Sequence, residues 1–227
     1  MFGLLVGKEL RELFASRAYW LMLLIVGLLV GHAFVTSVNL YAEMSGGGGG
    51  PAALSQGLRP LDGIVVPTMG AYDLAAMLLF PFVIIRLVSD EKRNGGLHLM
   101  LQSPSPLAFQ LLAKVCALLV GWVVAWLPGL VALTLWRTSG GHLYAPETTS
   151  VFIGHFVGGV IAIGVAMAGA ALTDSAAAAA VVTLAVTLGM WAIEFSAAVH
   201  GGMLEELAQL TPGGIVHRFV RGELAAK

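Results

Sequence analysis

Five stretches of this chain are apolar over lengths that suffice to cross a hydrocarbon core, which takes roughly 20 helical residues. They fall at about 18–38, 69–89, 108–136, 151–173 and 175–198. Together they predict an all-α integral membrane protein, a polytopic helical bundle forming one transmembrane domain over 1–227. The first stretch follows sixteen residues that contain both acids and bases, and its apolar run exceeds the 7–15 residues of a signal-peptide core, so it reads as an uncleaved span. Ahead of it the pattern changes. Phe2, Val6, Leu10, Leu13 and Phe14 lie along one helical stripe, with Lys8, Glu9, Arg11 and Glu12 on the other side. That predicts an amphipathic helix over about 1–17 lying in the membrane interface, the plainer alternative being a water-to-lipid transition before the first span.

Composition agrees with the pattern. Apolar residues make up 58% of the 227, charged residues only 11%, and mean hydropathy is +0.87, leaving too few polar side chains to cover a water-facing surface. The twelve Lys and Arg are dispersed, whereas a nucleic-acid surface needs them clustered on one face. The lone Cys116 allows no internal disulfide and no cysteine-built zinc site. Lys8, Arg11, Arg17, Arg86, Lys92, Arg93 and Lys114 flank one side of the predicted spans, against Arg59 and Arg137 in the opposite loops. This asymmetry puts the N terminus in the cytoplasm and 39–68 and 137–150 outside. With five spans the tail from 199 to 227 also falls outside, although it carries Arg218, Arg221 and Lys227. Gly46 to Gly50 reads as a flexible tether. It is no phosphate cradle, because no Lys-Ser or Lys-Thr follows it. Gly3 to Lys8 has the wrong spacing for one, so no ATP site of that kind is present in the sequence.

The connection 90–107 is the most informative. Asp90-Glu91-Lys92-Arg93-Asn94-Gly95-Gly96 forms a charged turn, and Leu97-His98-Leu99-Met100-Leu101-Gln102-Ser103-Pro104 forms a short apolar element that Pro104 and Pro106 stop before it becomes a span. An acidic pair, a few polar residues, a leucine-rich run and then Ser-Pro resembles the cytoplasmic signature of type-2 ABC exporter permeases, especially the GldF-like gliding-motility permeases. Lys8-Glu9-Leu10 with Arg17-Ala18-Tyr19 is similar to that family's N-terminal helix and the start of its first span. Leu210-Thr211-Pro212 with His217, Phe219, Arg221 and Gly222 is similar to its outer segment between the fifth and sixth spans. The likeness runs over nearly the whole chain, with Gly96 and His98 where the family usually has Thr and Glu.

The resemblance implies six spans, of which five are visible here, and a permease half with no chemistry of its own. ATP and Mg²⁺ would reside on a separate ABC ATP-binding subunit, and this chain would hold no cofactor and no metal. Its partners would be that ATPase and a second permease copy or homologue in a bacterial plasma membrane, with room for accessory periplasmic or membrane subunits. Glu91, Leu97, His98, Met100, Leu101, Ser103 and Pro104 would couple to the ATPase, together with the interface-helix residues Lys8, Glu9, Leu10, Leu13 and Phe14. The rival readings are a non-transporting membrane scaffold or assembly protein and, behind it, an intramembrane enzyme.

Ionisable residues within spans cost roughly 2.5–3.5 kcal/mol at mid-membrane on insertion scales and usually face protein or water. His32, Asp73, His155 and Glu194 are predicted in the outer halves of spans one, two, four and five, Asp73 at the very start of its span. Four groups at similar depth predict either one shared polar site or four separate hydrated side chains. No His-Glu-x-x-His pair brings two metal ligands onto one helical face. Gly154 and Gly158, followed by Gly164 and Ala168, predict close helix contact within the subunit. Pro128 predicts a kink in span three, and Trp122, Trp126, Trp136 and Trp191 read as packing or interfacial residues.

Overall fold

A computed structural model describes residues 2–44, 59–96, 102, 105–200 and 203–221. Among the described residues every regular element is helical. Helix α1 covers Phe2–Ala15 and α2 covers Arg17–Ala42. A π-helical turn, Leu61–Val65, leads without a break into α3, Val66–Arg93. Then come α4, Leu107–Val124, and α5, Leu127–Thr138, two halves of one span. The rest is α6, Ala145–Leu172; α7, Ala176–His200; the short α8, Met203–Ala208; and α9, Pro212–Arg221. Five helical segments are long and apolar enough to cross a membrane: Arg17–Ala42, Leu61–Arg93, Leu107–Thr138, Ala145–Leu172 and Ala176–Ala197.

Local chemistry sets the breaks. Ser16 adopts extended backbone between α1 and α2. Gly95, at φ 71°, takes the left-handed conformation that ends α3. Pro128 lies in the first turn of α5, where its missing N–H costs nothing, and the span breaks at Ala125–Trp126 just ahead of it, as the sequence predicts. Ser175 Oγ accepts the Ala178 N–H at 3.1 Å and so caps α7.

In lipid the helices gain little from hydrophobic transfer, so packing and hydrogen bonds hold them together. The centre is aromatic. Trp122 of α4 meets Tyr72 and Phe80 of α3 edge to face at 5.6 and 5.4 Å between ring centres. Tyr19 of α2 donates its hydroxyl to the Gly121 carbonyl at 2.8 Å. Trp122 Nε1–H donates to the His155 carbonyl of α6 at 3.0 Å. These bonds join spans one to four around a buried core in which Tyr19, Tyr72, Phe80 and Trp122 have no exposed surface. Helix α7 stands apart: only 11% of its apolar window is buried, against 44% for spans two and four.

Three readings are refined. The helix that carries the 69–89 stretch starts at Leu61, because Pro60 and the apolar Leu61, Ile64 and Val65 extend it past Asp62. Within the segment 199–227, α9 folds back along α6, with Ser150 Oγ donating to the Phe219 carbonyl at 2.7 Å. The Leu-Thr-Pro motif explains where α9 starts. Thr211 Oγ1 accepts the Gly214 N–H at 3.2 Å, and Pro212 occupies the first turn. Finally, α1 packs along α4 in the same direction, with Phe2 against Phe109 and Leu13 against Gly121. Its most buried residues are Leu13 and Glu9, the latter drawn inward by charge pairing from the polar side where the sequence put it.

Candidate functional site

Charged side chains gather where α1, the end of α3 and the start of α4 meet. Lys114 Nζ lies 2.9 Å from Glu91 Oε1 and also pairs with Glu9 Oε2. Lys8 Nζ reaches Glu9 Oε1 at 3.1 Å, Glu91 Oε1 at 3.2 Å and Glu12 Oε1 at 3.2 Å. Glu9, Glu91 and Lys114 are 7%, 13% and 12% exposed, so water screens this network weakly. Burial works against the Lys8 ammonium, but hydrogen bonds and charge from Glu9 and Glu91 outweigh it and hold the Lys8 pKa above its ordinary 10.5. Carboxylate oxygens of Glu9, Glu12 and Glu91 come within 4.8 Å of one another. The ammonium groups of Lys8 and Lys114 pair with all three and offset two of their charges.

One residue past Glu91, Lys92 turns the other way. Its Nζ donates to the carbonyls of Ala170 at 2.5 Å and Thr173 at 3.0 Å, at the end of α6, where a helix presents unpaired, partly negative oxygens. Lys8, Glu9, Glu91, Lys92 and Lys114 therefore fasten α1, α3, α4 and α6 to one another at one end of the bundle. Of the remaining N-terminal residues, Leu13 is buried, Leu10 is half-buried, and Phe14 packs edge to face on Tyr19 at 5.4 Å. The predicted coupling residues Leu97, His98, Met100, Leu101, Ser103 and Pro104 lie outside the described residues.

A second polar group forms further along the bundle. His155 Nε2 is 3.5 Å from Asp73 Oδ2 and 3.3 Å from the Met69 carbonyl, while Nδ1 faces the Val151 carbonyl at 2.9 Å. With Nδ1–H donated to Val151, one proton between Nε2 and Asp73 satisfies that pair, whichever partner carries it. The imidazole is buried and stacks on Tyr72, with ring centres 5.8 Å apart. Asp73 Oδ1 is buried with no hydrogen-bond partner among the described residues. Asp73 and Glu194 line the same cavity, of about 400 Å³, whose other walls include Met77, Leu188 and Trp191. Glu194 Oε1 also accepts the Gly213 N–H at 3.0 Å, at the positive N-terminal end of α9.

Three of the four predicted intramembrane groups, Asp73, His155 and Glu194, thus come together. His32 does not: it is exposed on α2 and borders a separate groove with Tyr41 and Asp62. Nor is Asp73 at the start of its helix. It lies roughly 16 Å along the helix from Asp62 and roughly 20 Å from Arg86, at 1.5 Å per residue. Sequence reasoning missed the inward role of Glu9 and the partners of Lys92 and Lys114, since pairing between distant helices leaves no local pattern.

The described structure defines an all-α multi-pass membrane protein with a buried charge network at one end and a carboxylate-lined cavity within. In comparisons with known proteins no family model matches the chain, and no curated protein or solved structure is similar to it.

Proposed function

We propose that this chain is the transmembrane permease subunit of an ATP-binding cassette exporter of the type-2, GldF-like kind, set in a bacterial plasma membrane with its N terminus cytoplasmic. The observation that carries the reading is the network of Lys8, Glu9, Glu91, Lys92 and Lys114. Glu91 and Lys92 stand a few residues ahead of Leu97, the first docking residue of the predicted coupling segment. They are clamped to α1, to α4 and to the end of α6. A push on 90–107 is then delivered to several helices at once rather than absorbed by a loose connection, which is what a chain driven from outside the membrane requires. A scaffold has no need for such a clamp.

The chemistry belongs to the partner. ATP and Mg²⁺ bind the ATP-binding subunit, and this chain converts that subunit's motion into rearrangement of its spans. A second permease copy or homologue supplies the other wall of the pathway. The apolar faces of α2, with Leu21, Leu24 and Leu28, and of α7, with Val181 and Phe195, are exposed and available to lipid and to that second chain. The test is purification of the tagged chain from its native membranes in mild detergent. A co-purifying ABC ATP-binding subunit, with hydrolysis that requires both proteins, supports the reading. Recovery of the chain alone, from membranes in which a known exporter stays assembled, overturns it in favour of a scaffold.

A further inference from the structure

We propose that the cavity between α3, α6, α7 and the start of α9 is a binding site for a bulky lipophilic cation. The walls are mostly apolar, with Met77, Leu188 and Trp191 among them, and among the described residues no Lys or Arg lines it. At about 400 Å³ it falls within the range of sites that enclose drug-sized molecules. Two acidic residues, Asp73 and Glu194, line it. Asp73 Oδ1 lies buried behind that wall without a partner among the described residues, while its Oδ2 engages His155. Glu194 uses Oε1 on the Gly213 N–H. The His155 pair holds at most one positive charge against two negative ones, so the site is one cation short of neutrality when both carboxylates are ionised. In apolar surroundings that deficit is costly. A cation with a greasy body offsets it and fills the apolar volume beside the aromatic wall residue Trp191. An anion meets the same carboxylates as repulsion, and a small hydrated metal ion leaves most of the apolar wall unused.

The binding stands on the cavity alone. That a bound cation is exported cargo rests on the permease reading, and the two fail separately, because binding is read on the isolated chain. Tetraphenylphosphonium and tetraphenylborate have nearly the same shape and opposite charge. The full chain in nanodiscs is expected to bind radiolabelled tetraphenylphosphonium saturably and to show no saturable binding of tetraphenylborate. Asp73→Asn and Glu194→Gln, each of which keeps an oxygen for its present partner, are expected to weaken binding by roughly tenfold or more, as loss of a charge-assisted contact does. His32→Gln, outside the cavity, should change nothing. Leu188→Trp fills the cavity without altering its charge and should abolish binding, which decides the matter even if a carboxylate variant fails to fold. Equal binding of both ions, or unchanged phosphonium binding in Leu188→Trp, overturns the proposal.

Discussion

Replacing Lys114 by Met removes one ammonium group from a network that serves several carboxylates. In the native chain Lys114 touches both Glu9 and Glu91, and all three are at most 13% exposed. Without it, Lys8 alone faces both carboxylates, and Lys8 is 41% exposed and also shared with Glu12. Breaking a buried pair by deleting one partner costs about 3–5 kcal/mol, because the remaining charge stays buried and uncompensated. At 1.4 kcal/mol per factor of ten, that is roughly two to four orders of magnitude in the folding equilibrium. Reversible unfolding of the purified chain in mixed micelles, followed by tryptophan fluorescence and circular dichroism, measures it. The double variant Lys114→Met with Glu9→Gln should recover at least about 1 kcal/mol, since the second change removes the stranded charge. A loss below about 1 kcal/mol for Lys114→Met, the range of exposed ion pairs, would refute the view that this network clamps the helices.

Three further outcomes follow from the packing and the charge pattern. Gly154→Val should detach α9 and open 203–221 to protease, because a Cβ at Gly154 already comes within 3.0 Å of Phe219 Cβ and 3.2 Å of Val216 Cα; Gly164→Val, where a Cβ meets nothing within 4 Å, should be tolerated. Trp122→Ala should cost about 3–5 kcal/mol of stability through the cavity left among Tyr72, Phe80 and His155, and Trp122→Phe about 1 kcal/mol through the lost hydrogen bond, both read in the same micelle assay. In a Cys116→Ala background, His142→Cys should react with an impermeant thiol reagent from outside the cell and Asn94→Cys only after permeabilisation; the reverse pattern would invert the proposed topology.

Periodicity within a helix was readable, while pairing between helices was not. Apolar run length located all five spans, and Pro128 announced the break between α4 and α5 because its effect is confined to one turn. Gly154 and Gly158 pointed to a close helix contact within the subunit, although not to α9 as the element that fills it. The helix of span two is longer than its apolar run: Arg59 and Asp62 look like loop residues, yet the helix runs on through Asp62 to Leu61. Asp73 therefore stands well along its helix rather than at its start. His32, Asp73, His155 and Glu194 share a chemical type, but only the rotation of each helix decides which face one cavity. Glu9 is the plainest case. Its stripe position says water, and only the approach of Lys114, more than a hundred residues away in sequence, turns it inward.

The central claim is that motion of an ATP-binding subunit enters these spans through 90–107, and the double variant Leu97→Ser with Leu101→Ser tests it most directly. In helix-in-groove docking, Leu97, Met100 and Leu101 fall at i, i+3 and i+4 on one face, and losing a buried anchor costs about 2 kcal/mol or more, near thirtyfold in affinity. With the complex reconstituted in proteoliposomes, the expected result is release of the ATP-binding subunit, or hydrolysis that continues without transport, while the permease remains inserted and folded. Normal assembly together with normal transport in the double variant would contradict the account.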